Sequence, residues 1–140
     1  MRVMDIMSTD VSWVDPAAKV ADIAKIMRDK DIGAVPVVQA GKVLGIITDR
    51  DIVLRVIASN KDVNQMTAEQ CMTVDPICID GTQDIDTVAE TMAEYQVKRL
   101  PVLNKGQIIG VIALGDLAIE NIHINEAGEA LNGISRGISH

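Results

Sequence analysis

The hydrophobic and polar positions in the first half of the chain change period several times, and each period predicts a different element. An amphipathic helix is predicted where apolar residues recur at i, i+3, i+4 and i+7, at Val20, Ile23, Ala24 and Met27. Before this helix, Ser12–Val14 reads as a short extended stretch. After it come two β-rich runs, residues 34–39 and 42–48, and Gly41 in the short loop between them is typical of a hairpin. A second helix is predicted over 52–57.

The same pattern returns later in the chain. Residues 5–57 overlay residues 70–122 at a constant offset of 65 without a gap, and the identical pairs include Pro36/Pro101 and Asp51/Asp116. One copy is close to the lower size limit for a stable core, so the two copies should pack together. The sequence therefore predicts an α/β (α+β) fold: two β-α-β-β-α repeats related by a pseudo-twofold axis, with clefts between the repeats.

The repeats also suggest a division of the chain. We expect repeat 1 at residues 1–58, a linker at 59–69, repeat 2 at 70–123 and a C-terminal tail at 124–140. One helical turn is predicted in the tail, near Glu126–Leu131.

Composition and charge narrow the function classes. The formal net charge of −7 disfavours nucleic acid and anionic membrane surfaces as partners. No apolar run is long enough to span a membrane. Cys71 and Cys78 lack the spacing of a metal site, and reduced thiols fit a cytoplasmic protein. We therefore expect a cytoplasmic protein without a metal site.

The segment Gly45–Asp51 carries the most specific chemistry. A strand that ends in Thr48, with Asp51 three residues later, brings a hydroxyl and a carboxylate to the start of a helix, where a phosphate and a ribose could be held. The alternative is that Thr48 or Asp49 only caps the helix. The pattern alone leaves both interpretations open.

Both repeats carry a hydrophobic-Pro-Val strand, at residues 35–37 and 100–102, and a junction of the form G-h-h-[ST]-x-x-D, which the second copy keeps only in part. With two β-α-β-β-α units, these motifs resemble a tandem pair of CBS domains, the Bateman module. The resemblance covers residues 1–123 and is greatest to small stand-alone members from Bacillus-type bacteria. It implies a regulatory module that binds an adenosine-containing ligand between its repeats.

The resemblance also implies which residues bind the nucleotide. In the first cleft, Thr48 and Asp51 would hold phosphate and ribose, and the Asp75–Asp80 segment would line the base. The predicted set is Thr48, Arg50, Asp51, Asp75, Ile77, Asp80, Val97, Lys98 and Arg99. Lys98 and Arg99 match a basic pair that some members use on phosphates, and Arg50 could add a contact.

The other cleft departs from the family pattern. Ala113 replaces the junction hydroxyl, and Ile32, Gly33 and Ala34 replace the basic neighbourhood. Its predicted residues are Asp116, Asp10, Ile32 and Gly33. We expect this cleft to be weak, empty or suited to an uncharged adenosine moiety.

The remaining candidate residues give weaker indications of function. Trp13 is either a core or interface residue or a base-stacking group, and Met27, Met66, Met72 and Met92 read as core packing. No catalytic constellation or P-loop is visible, so we expect no enzyme and no obligatory cofactor. The leading hypothesis is a sensor that binds AMP, ADP or ATP, forms a homodimer through its helices and signals to an unknown effector protein. The competing hypothesis is a structural or protein-interaction module with a vestigial cleft.

Overall fold

Helices and strands form where the apolar spacing predicts them. The computed structural model describes residues 1–124, with side chains described up to Glu120. The strands are β1 (Ala34–Gln39), β2 (Lys42–Thr48), β3 (Thr73–Val74), β4 (Ile79–Asp80), β5 (Arg99–Asn104) and β6 (Gln107–Ala113). The helices are α1 (Val3–Ile6), α2 (Val20–Lys30), α3 (Asp49–Asp51), α4 (Ala68–Cys71), α5 (Ile85–Tyr95) and α6 (Leu114–Ile124). A π-helical turn, Ile52–Ile57, continues α3. The helical turn predicted near Glu126–Leu131 lies outside the described residues.

The two hairpins have the predicted bounds. In β1–β2 the turn residues Ala40 and Gly41 have φ angles of 53° and 78°, and Lys105 and Gly106 in β5–β6 have 52° and 78°. Two successive left-handed residues make the tight turn whose twist matches that of the flanking strands. The predicted mixed α/β fold of two β-α-β-β-α repeats is confirmed.

The chain divides into two compact units, and neither is one uninterrupted repeat. One unit consists of Val11–Pro76, which we call the first-repeat unit. The other combines Met1–Asp10 with the residues from Ile77 onward, and we call it the second-repeat unit. Each unit therefore contains the segment with which the other repeat begins in the sequence.

The first-repeat unit is a sheet covered by helices. Strand β1 pairs antiparallel with β2, β2 pairs antiparallel with β3, and Val14 forms a parallel bridge to Val37. Helix α4, which lies at the start of repeat 2 in sequence, completes the core with Ala68 and Cys71, both fully buried. The other fully buried core residues are Val20, Ile23, Val35, Val37, Ile47 and Val56.

The second-repeat unit has the equivalent arrangement. Strand β4 pairs parallel with β5, β5 pairs antiparallel with β6, and Ser8 forms an antiparallel bridge to Val111. The N-terminal segment thus occupies the place that α4 and β3 take in the first-repeat unit. Its Val3 is fully buried in a core with Val88, Leu100, Val102 and Ile112.

The predicted apolar faces of the helices need two corrections. Ala24 of α2 is exposed, and so is its equivalent Ala89. In the closing helix Ile52 and Val56 are buried, but Val53 and Ile57 are 52% and 59% exposed. The core side of the closing helix is therefore narrower than predicted, because only Ile52 and Val56 of the π-helical turn face the core.

Candidate ligand-binding site

The junction between β2 and α3 is held by two reciprocal hydrogen bonds. The Asp51 N–H donates to Thr48 Oγ1 at 3.1 Å, and the Thr48 N–H donates to Asp51 Oδ2 at 2.9 Å. This is a capping box with Thr48 as the N-cap, so Thr48, not Asp49, caps the helix. The cap uses only a lone pair of the hydroxyl, which keeps its proton for a further acceptor.

Asp51 has a second, electrostatic neighbour. Its side chain is 17% exposed, and its Oδ1 lies 3.8 Å from Nε of Arg55, one helical turn later. The Arg55 guanidinium also donates to Cys71 O at 3.1 Å and to Thr73 Oγ1 at 3.2 Å. We did not predict Arg55 as a site residue. The i,i+4 spacing from Asp51 and its exchange for Glu120 in the second copy were the available signals.

The equivalent junction of the second-repeat unit lacks part of this arrangement. The Ala113 N–H donates to Asp116 Oδ2 at 2.8 Å, but the hydroxyl of Thr48 has no counterpart. Burial raises the pKa of Asp116, and the bond from the Ala113 N–H offsets part of that rise. This carboxyl group is therefore less readily ionised than an exposed aspartate.

Each junction is hydrogen-bonded to the residue directly before the strand that carries the hydrophobic-Pro-Val motif, three positions before the proline. The Asp49 N–H donates to Gly33 O at 3.0 Å, and the Leu114 N–H donates to Lys98 O at 2.8 Å. Thus Gly33 neighbours the Thr48 junction, and Lys98 neighbours the Asp116 junction, each within one unit.

The residues predicted for the first cleft are divided between the units. The first-repeat unit holds Thr48, Arg50, Asp51 and Asp75, and the second-repeat unit holds Ile77, Asp80, Val97, Lys98 and Arg99. Within their units, the predicted charged residues Arg50, Asp75 and Lys98 are exposed, and Arg99 is half-buried at the start of β5. Asp75 has a φ of 49° and its N–H donates to Leu44 O at 3.3 Å.

The other predicted residues have structural contacts of their own. The Asp80 carboxylate accepts bonds from the Thr82 hydroxyl at 2.6 Å and the Thr82 N–H at 2.8 Å, and these bonds lower the pKa of Asp80. Ile77 and Val97 are half-buried against the core of the second-repeat unit. Of the residues predicted for the weaker cleft, Ile32 packs on the first-repeat core and Asp10 is exposed.

Trp13 is 48% exposed, which removes it from the core. The prediction of core methionines is confirmed, since Met27 and Met92 are buried and Met66 and Met72 pack against the first-repeat core. Cys71 and Cys78 are free thiols, and burial raises the pKa of both.

Across residues 1–124, no three His, Cys, Asp or Glu side chains come together as metal ligands. None of the helices described has both the length and the apolar character that a bilayer crossing requires.

Comparison with known proteins matches this geometry to a family. The model of the CBS domain matches twice, at residues 3–58 and 68–123. The CBS domain-containing protein YhcV of Bacillus subtilis is 34% identical over 138 residues, which cover 99% of this chain and 98% of that protein. The predicted similarity to CBS proteins of Bacillus-type bacteria is confirmed.

Solved structures with a similar fold lead to the same family. Hypoxic Response Protein I, whose crystal structure has two coordinated zinc ions, is 31% identical with a TM-score of 0.78 over 84% of this chain and 97% of that chain. The CBS domain pair of protein MJ0100, in complex with 5′-methylthioadenosine and S-adenosyl-L-methionine, is 28% identical with a TM-score of 0.80 over 89% of this chain and 98% of that chain. This chain belongs to the CBS-domain family and carries two CBS domains in tandem.

Proposed function

We propose that this chain is a non-catalytic regulatory module of the cytoplasm that binds an adenosine-containing ligand of the AMP, ADP or ATP type. The observation that carries the proposal is the Thr48–Asp51 junction. Its reciprocal bonds fix a hydroxyl donor and a carboxylate acceptor on a rigid strand–helix corner. The related pair of MJ0100, which binds two adenosine-containing molecules, supports the same ligand class.

We assign roles by the chemistry of each group. The Asp51 carboxylate accepts hydrogen bonds from the ribose diol, and the Thr48 hydroxyl donates to phosphate. Lys98 and Arg99 neutralise the phosphate, and Arg50 adds a further cation. The base-contacting residues in this proposal are Asp75, Ile77, Asp80 and Val97.

In our proposal, the second copy provides the weaker ligand site. Asp116 lacks a neighbouring hydroxyl, and Glu120 stands where the first copy has Arg55. Any ligand there, next to Asp10, Ile32 and Gly33, would be an uncharged adenosine moiety.

Replacing Asp51 by alanine should abolish stabilisation by ligand. A ligand at about ten times its dissociation constant stabilises the native state by about 1.4 kcal/mol, which raises the melting temperature of a chain of this size by roughly 4 °C. Thermal melts with millimolar AMP, ADP, ATP and S-adenosylmethionine measure this difference. Asp51→Ala should show no rise, because the ribose acceptor is gone.

Asp116→Ala is the matched control, since it removes the equivalent capping carboxylate of the other copy. Both variants should melt lower than the wild type without ligand, because a lost cap costs about 1 kcal/mol. Only Asp51→Ala should lose the ligand-induced rise. A wild type whose melting temperature responds to none of the four compounds would contradict the proposal.

The competing function, a protein-interaction module, also has an observation in its favour. Val53, Leu54 and Ile57 on the π-helical turn are 52%, 49% and 59% exposed. In our proposal these residues contribute to a homodimer through the helices, and an effector protein reads ligand occupancy, because binding matters only if it shifts an equilibrium that something else detects. If no ligand binds, the exposed residues make interaction the better account.

A further inference from the structure

Arg55 joins three parts of the first-repeat unit. Its Nε lies 3.8 Å from Oδ1 of Asp51 on the helix, one terminal nitrogen donates to Cys71 O at 3.1 Å, and the other donates to Thr73 Oγ1 at 3.2 Å. Cys71 ends α4, and Thr73 begins β3. One guanidinium group therefore connects the junction carboxylate to the segment that runs into Asp75.

The Arg55 side chain has more contacts that define its orientation than an ordinary surface arginine has. The planar guanidinium uses separate nitrogens for each partner, so its orientation is set by three contacts. The Asp51 side chain is only 17% exposed, whereas that of Arg55 is 48% exposed. The carboxylate is thus the more enclosed partner, and it is held from both sides: by the Thr48 N–H at Oδ2 and by Arg55 near Oδ1.

We propose that Arg55 is a positioning residue that orients the Asp51 carboxylate for the ribose diol and ties it to the β3 segment. This inference rests on the proposed function. Arg55 touches no ligand in this account; it acts through Asp51 and through the strand that leads to Asp75.

The second copy supports the assignment by contrast. Glu120 occupies the equivalent of Arg55, four residues after Asp116. A glutamate cannot donate to the carbonyl of residue 6 or to Ser8, the equivalents of Cys71 and Thr73, and it adds a like charge to the same helix face. The copy that keeps the junction hydroxyl is thus also the copy that keeps the cation.

The test compares affinities for AMP and 2′-deoxy-AMP by calorimetric titration. The two compounds differ by one ribose hydroxyl, so the ratio of their dissociation constants reports how well Asp51 engages the diol. We expect a ratio of about tenfold in the wild type, as for the loss of a hydrogen bond to a charged group. Arg55→Met should reduce the ratio to below about threefold, and Arg55→Lys should restore part of it by keeping the charge.

Two further variants separate positioning from folding. Thr73→Val removes one acceptor of Arg55 without touching Asp51, and it should lower the ratio partly. Arg28→Met removes an exposed arginine that pairs with Asp29 on α2, and it should leave the ratio unchanged. A wild type that binds AMP, together with Arg55→Met and Thr73→Val variants that keep the full ratio, overturns the role of Arg55 alone. A wild type that binds neither compound overturns the proposed function and this inference with it.

Discussion

Replacing Val3 by aspartate should unfold the unit that holds the second repeat, although position 3 lies at the start of the first repeat in the sequence. Val3 is fully buried in the core of that unit, together with Val88, Leu100 and Ile112. Its N–H donates to Gln83 O at 2.9 Å. A buried carboxylate without a partner there should cost about 4 kcal/mol, a large part of the stability of a small domain.

Hydrogen exchange of the milder Val3→Ala variant locates the effect. A buried cavity destabilises its surroundings by about 2 kcal/mol, so protection should fall first in β5 and β6 and least in β1 and β2. Thr9→Asp, at an exposed position of the same segment, is the control and should change little. Equal or greater loss in β1 and β2 would show that the N-terminal segment does not belong to the second-repeat core.

Adding a single methyl group at Gly45 should destabilise the first-repeat unit by about 2 kcal/mol. A Cβ built on Gly45 would collide with Met72 Sδ and lie 2.7 Å from the Thr73 carbonyl oxygen. In an open strand the same Gly→Ala change would stabilise by about 0.5–1 kcal/mol, so the close approach of the following segment reverses the sign. Gly110→Ala should act likewise on the other unit, because its Cβ would lie 2.6 Å from Ser8 O.

Chemical denaturation of Gly45→Ala measures this cost, with Lys42→Ala, an exposed change in the same strand, as the control. Adding Met72→Ala to Gly45→Ala removes the side-chain collision but leaves the Thr73 carbonyl in place. The double variant should therefore still be less stable than the Met72→Ala single variant. A Gly45→Ala variant as stable as the wild type would contradict the tight contact between β2 and the segment of Met72 and Thr73.

Much of the fold follows from local pattern. The alternation in residues 34–39 and 42–48, with left-handed turn residues between them, is enough to predict the first hairpin and its bounds, and the repeat transfers the result to β5 and β6. The exchange of segments between the repeats does not follow. Either core could bury the short helix α1 (Val3–Ile6), and only tertiary packing decides between them.

The candidate site was also predictable from the sequence only in part. The Thr48–Asp51 spacing predicts a capped junction, because those two residues bond to each other within one turn. Arg55 escaped prediction because its partners at Cys71 and Thr73 come next to it only through the pairing of β3 with β2.

Calorimetric titration of the wild type and Asp51→Asn with AMP tests the central claim most directly. The asparagine keeps the shape of the side chain but replaces a charged acceptor by an amide. We predict saturable binding of about one equivalent of AMP per chain in the wild type, and an affinity at least about tenfold lower in Asp51→Asn. Equal affinity of the two proteins, or no binding by the wild type at millimolar AMP, would contradict the account.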